Sequence, residues 1–144
     1  MIRIELNRLN DGFHFSAENE DGNIVHLDSS PDAGGMKLGM RPMQMLLAAM
    51  GGCSAIDVIG ILKKQRQDLR DLKITVTGER EPGAVPSLYQ KVHAHYRFYG
   101  NLDPDKVERA INLSIEKYCS VSLTLEKAGA TITHSFEIFP APAE

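Results

Sequence analysis

Hydrophobic and polar positions alternate at the start of the chain. Ile2, Ile4 and Leu6 are separated by polar residues, and Phe13, Phe15 and Ala17 alternate in the same way. A period of two predicts strands with one face buried. Asn10-Asp11-Gly12 and Asp21-Gly22-Asn23 are turn signals. A further short strand is expected around Ile24 to Asp28, which makes the opening third a three-stranded meander. Asp28 to Arg41 has no period and holds Pro31, Gly34, Gly35 and Gly39. It is expected to be a long loop, of the kind that often carries function. Pro42 suits the first turn of a helix, where the N–H it lacks would have no partner anyway. A long helix is expected from there to about Gln67. It ends in Lys63, Lys64 and Arg66, which complement the negative end of the helix dipole and read as solvated.

Period two returns in Leu72, Ile74 and Val76 and, after the turn Glu81-Pro82-Gly83, in Val92, Ala94, Tyr96 and Phe98. Asp103-Pro104 reads as an N-cap followed by the first helical position. The helix it opens places Val107, Ala110, Ile111, Ser114 and Tyr118 on one stripe, and Cys119 closes it. A short helical segment from Val121 to Lys127 stops at Gly129. Ile132, His134, Phe136 and Ile138 form a last strand. The predicted order βββ-α-ββ-α-β is an α+β pattern whose strands are most simply antiparallel. No repeat and no linker divides the sequence, so residues 1–144 read as a single domain.

Composition narrows the function classes. A chain of 144 residues is long enough for a real core, and 42% hydrophobic with 24% charged residues is average for a soluble protein. The net charge of −3 and the absence of a Lys/Arg tract argue against a nucleic-acid partner. Met1-Ile2-Arg3-Ile4-Glu5 is not a signal segment, so a cytoplasmic location is expected. Met45 to Leu62 is a run of 18 residues with one charge, Asp57, at the edge of membrane-spanning length. It contains Gly51, Gly52, Gly60 and Ser54 and lacks an aromatic belt. A helix buried on nearly all sides of a soluble protein is the better reading, with no membrane partner. Such a helix needs more cover than one small sheet provides, which predicts a homodimer.

The candidate chemistry lies in two cysteines. Cys53 sits within the long helix, directly after Gly51 and Gly52. Each glycine costs a helix about 1 kcal/mol relative to alanine, so something must offset them. They allow a backbone or a substrate to approach the thiol, and close helix packing explains them equally well. Cys119 lies at a helix end beside the start of another, and a helix N-terminus lowers a thiol pKa. In a cytosolic chain both thiols stay reduced, as inert buried groups or as reactive ones. A separation of 66 residues does not by itself bring them together. His93 and His95 face the same side of a strand and, with His26, His14 or His134, have metal-ligand chemistry. A polar strand face opposite Val92, Ala94, Tyr96 and Phe98 explains them more simply, so no metal is expected. No zinc-knuckle thiol spacing, Gly-x-Gly-x-x-Gly or P-loop occurs.

Two segments together resemble a known family. The run Gly39-Met40-Arg41-Pro42-Met43-Gln44-Met45-Leu46-Leu47-Ala48-Ala49-Met50-Gly51-Gly52-Cys53 is similar to the helix entry of OsmC/Ohr proteins, a Gly-x-x-Pro segment leading through Leu- and Ala-rich sequence to cysteine. Tyr118-Cys119-Ser120-Val121-Ser122-Leu123-Thr124-Leu125 resembles their second site, usually Cys-Pro-Val-Ser before a short apolar helix. The order of elements between the two also fits. The resemblance implies an intertwined homodimer with active sites at the subunit interface. It implies that Cys53 is the peroxidatic thiolate, oxidised by an organic hydroperoxide or hydrogen peroxide to a sulfenic acid. Cys119 would resolve that acid as a disulfide, and an external dithiol would reduce it, in oxidative-stress defence. No metal, flavin or haem is implied. The sequence departs from the family where the peroxidases carry glutamate ten positions before the first cysteine: Met43 stands there, followed by Gln44. The family's arginine from the N-terminal strands has no match between Asn10 and Phe15, although Arg8 and Arg41 lie nearby. Asp57 follows Cys53 by one helical turn, where a carboxylate disfavours a thiolate. The pattern is that of a divergent branch. The alternative function is a dimer of weak or no peroxidase activity that binds a small apolar molecule near Cys53.

Overall fold

Short polar side chains at the turns set up the first sheet. In the computed structural model, which describes residues 1–140, Asn10 Oδ1 accepts from the N–H groups of Gly12 (3.0 Å) and His14 (3.2 Å). Asn19 Oδ1 does the same for Asp21 (3.1 Å) and Asn23 (2.9 Å). These side chains mimic a backbone turn, which is why asparagine serves at such positions. The strands they join are β1 (Glu5–Arg8), β2 (Phe15–Glu18) and β3 (Ile24–Leu27), paired antiparallel in that order. Ile2 and Ile4 fall outside β1 and are exposed. The sheet belongs to a compact unit of residues 1–46.

The expected long loop is present and is organised around one carboxylate. Asp28 is 3% exposed and accepts from the N–H groups of Ser29 (2.7 Å), Met36 (3.0 Å) and Leu38 (3.1 Å). Burial raises its carboxyl, but the three backbone donors, with His14 assisting, outweigh it and hold the carboxyl below its ordinary value. The loop then returns to β3, where Met40 N–H donates to His26 O and Asp28 N–H to Met40 O, both at 3.1 Å. Gly39 is required there, since a Cβ would stand 2.5 Å from the His26 carbonyl.

The second compact unit begins at Leu47, so the helix α1 (Pro42–Lys64) starts in one unit and runs through the other. Strands β4 (Asp68–Arg80) and β5 (Tyr89–Asn101) form a long antiparallel hairpin. On β5, Val92, Ala94, Tyr96 and Phe98 are buried and alternate with half-buried or exposed neighbours, as the period of two predicts. Burial of each large apolar side chain contributes about 1.5–3 kcal/mol. Asp103 caps α2 (Pro104–Leu113) by accepting from Asp105 N–H at 2.9 Å. After α2 come a π-helical turn (Ser114–Tyr118), α3 (Ser120–Lys127) and β6 (Thr131–Phe139). The architecture is α+β.

Three expectations are corrected. Strand β6 runs parallel to β5, not antiparallel, because the connection through α2 and α3 is a full crossover and returns the chain to the same end of the sheet. Helix α1 ends at Lys64 rather than Gln67. Arg66 takes the left-handed conformation (φ 55°), and Arg66 and Gln67 donate to Lys63 O and Leu62 O, both at 3.0 Å. This is the Schellman closure, built without the usual glycine at a cost of roughly 1–2 kcal/mol. Tyr118 leaves the α2 stripe and is 51% exposed, because the π turn shifts the helical phase after Ser114. Within one chain, helix α1 is fully buried along a single line, Met50, Ser54, Val58 and Leu62, while Ile56 and Ile59 are 75% and 45% exposed. Among the described residues it is the one helix long and apolar enough, by length and composition, to cross a membrane.

The Asp28 loop yields a pH-dependent prediction. A carboxyl held below its unfolded value stabilises the fold above that value, and the contribution is lost as pH falls through the folded one. Replacement Asp28→Asn should therefore lower Tm by roughly 3–6 °C at neutral pH. The gap to wild type should close as the pH falls below 3.8, the carboxyl's ordinary value. Thermal denaturation of both proteins across the acid range checks this, and a gap constant with pH contradicts it.

Candidate functional site

Helix periodicity places Cys53 and Asp57 on one face of α1, four residues apart. The π turn brings the third group. Cys119 N–H reaches back five residues to Ser114 O at 2.7 Å, and the chain then leaves the helix in an extended conformation (φ −76°, ψ 100°). Cys119 thereby becomes the N-cap of α3, its sulfur accepting from Ser122 N–H at 3.3 Å. Local π-helical turns of this kind occur frequently at functional sites. The two sulfurs and an Asp57 carboxylate oxygen all lie within 4.8 Å of one another. Both cysteines are free thiols, Cys53 half-buried and Cys119 only 2% exposed. Among the described residues, this is the one group of three His, Cys, Asp or Glu side chains whose ligating atoms gather so closely.

The environment of Cys119 corrects one expectation. Its place at a helix N-terminus was to lower its pKa. Burial instead pushes the thiol up to about 11, and Ser122 N–H offsets only part of that. The hydrogen bond that the Cys119 thiol donates to Cys53, and the negative charge of Cys53 and of Asp57 nearby, act in the same direction as burial. Cys119 is therefore held as a neutral thiol at physiological pH.

Three buried hydroxyls complete the site. Tyr96 Oη lies 2.6 Å from Ser54 Oγ, and Ser114 Oγ lies 2.9 Å from both Ser54 Oγ and Asp57 Oδ2. A carboxylate only accepts, so Ser114 gives its single proton to Asp57 and takes one from Ser54, which in turn accepts from Tyr96. Every donor then points toward Asp57. Burial pushes the Tyr96 phenol up and keeps it neutral. The sequence reading passed over this chain. Its signal was present, since Ser54 and Ser114 interrupt the apolar stripes Met50–Val58 and Val107–Ile111 at positions that must be buried. Ser122 Oγ is also buried, and it has no hydrogen-bond partner among the described residues.

Asp57 also lines a cleft of about 520 Å³ together with Ile56, Leu113 and Tyr118, with Lys64 and Gln65 beside them. Gly51 supports the packing explanation, because a Cβ there would meet Val76 at 3.1 Å, whereas Gly52 faces open space.

The remaining candidates have other work. In the first unit His14 Nε2 pairs with His26 Nδ1 at 2.9 Å. On the outer face of β5, His93 bonds Thr133 and Ser135, while His95 bonds Ser135 and Glu137, at 2.7–3.0 Å. His134 pairs in register with Ala94 and so lies on the opposite face from His93 and His95. His93 and His95 form a polar strand face. Lys63, Lys64 and Arg66 are exposed as expected. Arg8 binds the carbonyls of Asp11 and Gly12 in its own turn. Gln44, at a position often acidic in the family, accepts from Arg41 N–H at 3.0 Å and caps the start of α1.

A sequence model of the family described as OsmC-like protein matches residues 34–135. Protein YhfA of Escherichia coli K12 is 44% identical over 132 residues, covering 91% of this chain and 94% of that protein. A hypothetical protein from Aquifex aeolicus VF5 has a similar structure, with 30% identity, a TM-score of 0.79, and coverage of 96% of this chain and 98% of that one. An organic hydroperoxide resistance protein OsmC from Legionella pneumophila, also described as a predicted redox protein, aligns with a TM-score of 0.71 over 95% of this chain and 96% of its own. At 17% identity that likeness concerns the fold alone. The extent of the family match and the identity to YhfA show that the chain belongs to the OsmC-like protein family.

Proposed function

We propose that this protein is a thiol-dependent peroxidase that reduces organic hydroperoxides or hydrogen peroxide through Cys53 and Cys119. One observation carries the reading: two free thiols from separate elements stand within 4.8 Å beside a cleft with an apolar side. Inert buried cysteines have no need of each other. The description of the Legionella relative as a hydroperoxide resistance protein supports the same class of chemistry.

The reaction runs in three balanced steps. The Cys53 thiolate attacks one peroxide oxygen, the O–O bond breaks, and the alcohol or water leaves with a proton. Cys53 becomes a sulfenic acid. The Cys119 sulfur then attacks the Cys53 sulfur, forming the disulfide and releasing water. An external dithiol reduces that disulfide by exchange and is itself oxidised. A cytoplasmic location supplies such a dithiol. The half-buried Cys53 is the first nucleophile, since the buried Cys119 is the less accessible of the two. Negative charge beside both sulfurs makes the enzyme slow relative to a site with a cationic partner.

The working form is a homodimer. Ile56 and Ile59 of α1 are exposed, together with Leu46, Tyr118 and Leu123. A helix this apolar is stable in water when a second copy covers it. The second reading, a dimer that binds a small apolar molecule without turnover, is favoured by the cleft beside Ile56, Leu113 and Tyr118.

Peroxide consumption with a dithiol reductant tests the proposal. Wild type turns over, Cys53→Ser abolishes turnover, and Cys119→Ser stops after one equivalent with a trappable sulfenic acid. Turnover surviving Cys53→Ser places the chemistry elsewhere, and inactivity with every peroxide favours the binding reading. Sedimentation at micromolar concentration should give about twice 15.9 kDa, and Ile56→Asp should shift the protein toward monomer. A wild-type species of 15.9 kDa alone overturns the dimer.

A further inference from the structure

We infer that Asp57 is the base that readies Cys119 for disulfide closure, with Ser114, Ser54 and Tyr96 as its positioning residues. The inference rests on the peroxidase reading and assigns the proton transfer which that reading leaves open. Closure requires a Cys119 thiolate, yet Cys119 is buried and away from water. The group within reach is the Asp57 carboxylate, inside the same 4.8 Å cluster as both sulfurs. One of its oxygens, Oδ2, is held by Ser114 at 2.9 Å, and Ser114 is fixed in turn by Ser54 and Tyr96. The three hydroxyls all donate toward the carboxylate, so they stabilise negative charge at Asp57 and orient it. A solvated, freely rotating carboxylate would need no such support. Asp57 also lines the cleft, which gives its proton a path onward to solvent.

The step balances. Asp57 takes the proton from the Cys119 thiol as that sulfur attacks the sulfenic sulfur of Cys53. The S–S bond forms and the S–O bond breaks. The departing hydroxide takes the proton back from Asp57 and leaves as water, so the carboxylate is restored. The titratable groups facing Cys119 are Cys53 and Asp57 from α1 and, more remotely, Tyr96 from β5.

The test separates closure from peroxide chemistry. Cys53 is first converted to a mixed disulfide with a chromogenic aryl thiol, and release of that thiol reports attack by Cys119. In parallel, a peroxide pulse followed by sulfenic-acid trapping reports closure in the complete reaction. For Asp57→Asn, closure should slow about 100-fold or more relative to loading of Cys53. Its rate should rise about tenfold per pH unit, since solvent must now deprotonate Cys119, while wild type stays nearly flat near neutrality. Asp57→Glu should recover part of the rate, and Ser114→Ala should fall between wild type and Asp57→Asn. If Asp57→Asn does not fold, the same pH comparison on Ser114→Ala decides the matter. Closure at the wild-type rate with the wild-type pH profile overturns the role of Asp57. Normal closure from the aryl disulfide by wild type, with no oxidation of Cys53 by any peroxide, overturns the peroxidase reading and leaves that role standing.

Discussion

The bond between Ser54 and Tyr96 is the constraint on which the rest of the second unit depends. Both residues are fully buried, and a hydroxyl taken out of water costs about 1–3 kcal/mol when it has no partner. Ser54 therefore has to face Tyr96, which sets the rotation of α1 against β5. Once that rotation is set, helical spacing decides what lies on either side. Asp57 falls three residues on and reaches Ser114. Cys53, adjacent in sequence, turns toward the break between α2 and α3. Ile56 turns outward. A slip of α1 by one residue would bury Ala55 against the phenol and leave both hydroxyls orphaned. An apolar stripe alone would tolerate such a slip far better than a polar pair does.

The site sets two effects against each other. An N-cap position at α3 offers the Cys119 sulfur a backbone donor, which favours a thiolate. Burial removes water, which disfavours it more strongly. A thiol held neutral in this way is protected from direct attack by oxidants, because the thiolate is the nucleophile. It becomes useful only when a base stands within reach and an electrophilic sulfur appears next to it. The arrangement thus suits the second thiol of a cycle and would serve the first one badly. Cys53, half-buried, is the more accessible of the two thiols.

Much of this was readable from the chain, for identifiable reasons. The turns at Asn10 and Asn19, the Asp103 cap and the alternation of β5 are local patterns with local causes, and they appear where the residues require them. The cysteine pair was legible only through the resemblance of two whole segments, since nothing in a 66-residue gap specifies proximity. What stayed hidden was non-local or lacked its usual marker. The end of α1 uses Arg66 where glycine is customary. The parallel setting of β6 depends on how α2 and α3 cross the sheet. The π turn has no composition signal, although it removes Tyr118 from the core and delivers Cys119 to Cys53. The hydroxyl chain joins residues 42 and 60 positions apart, and only the fold shows that their buried oxygens meet.

The departures from the family pattern take on a consistent meaning once Asp57 is given a task. The peroxidases that this chain resembles place a cation beside the first thiol and so favour the oxidation step. In this sequence Met43 stands in place of their glutamate, Gln44 is used to cap α1, and Arg8 is tied to its own turn. The charge retained beside the sulfurs is negative and is supported by three hydroxyls. In the proposed cycle, an anion supported there serves closure by Cys119 rather than peroxide attack at Cys53. If closure outran formation in the proposed cycle, little sulfenic acid would stand at any moment. Cys53 would then be shielded from the further, irreversible oxidation that overtakes a long-lived sulfenic acid. In the proposed cycle, slow first attack and fast closure would both follow from the single carboxylate one turn beyond the thiol.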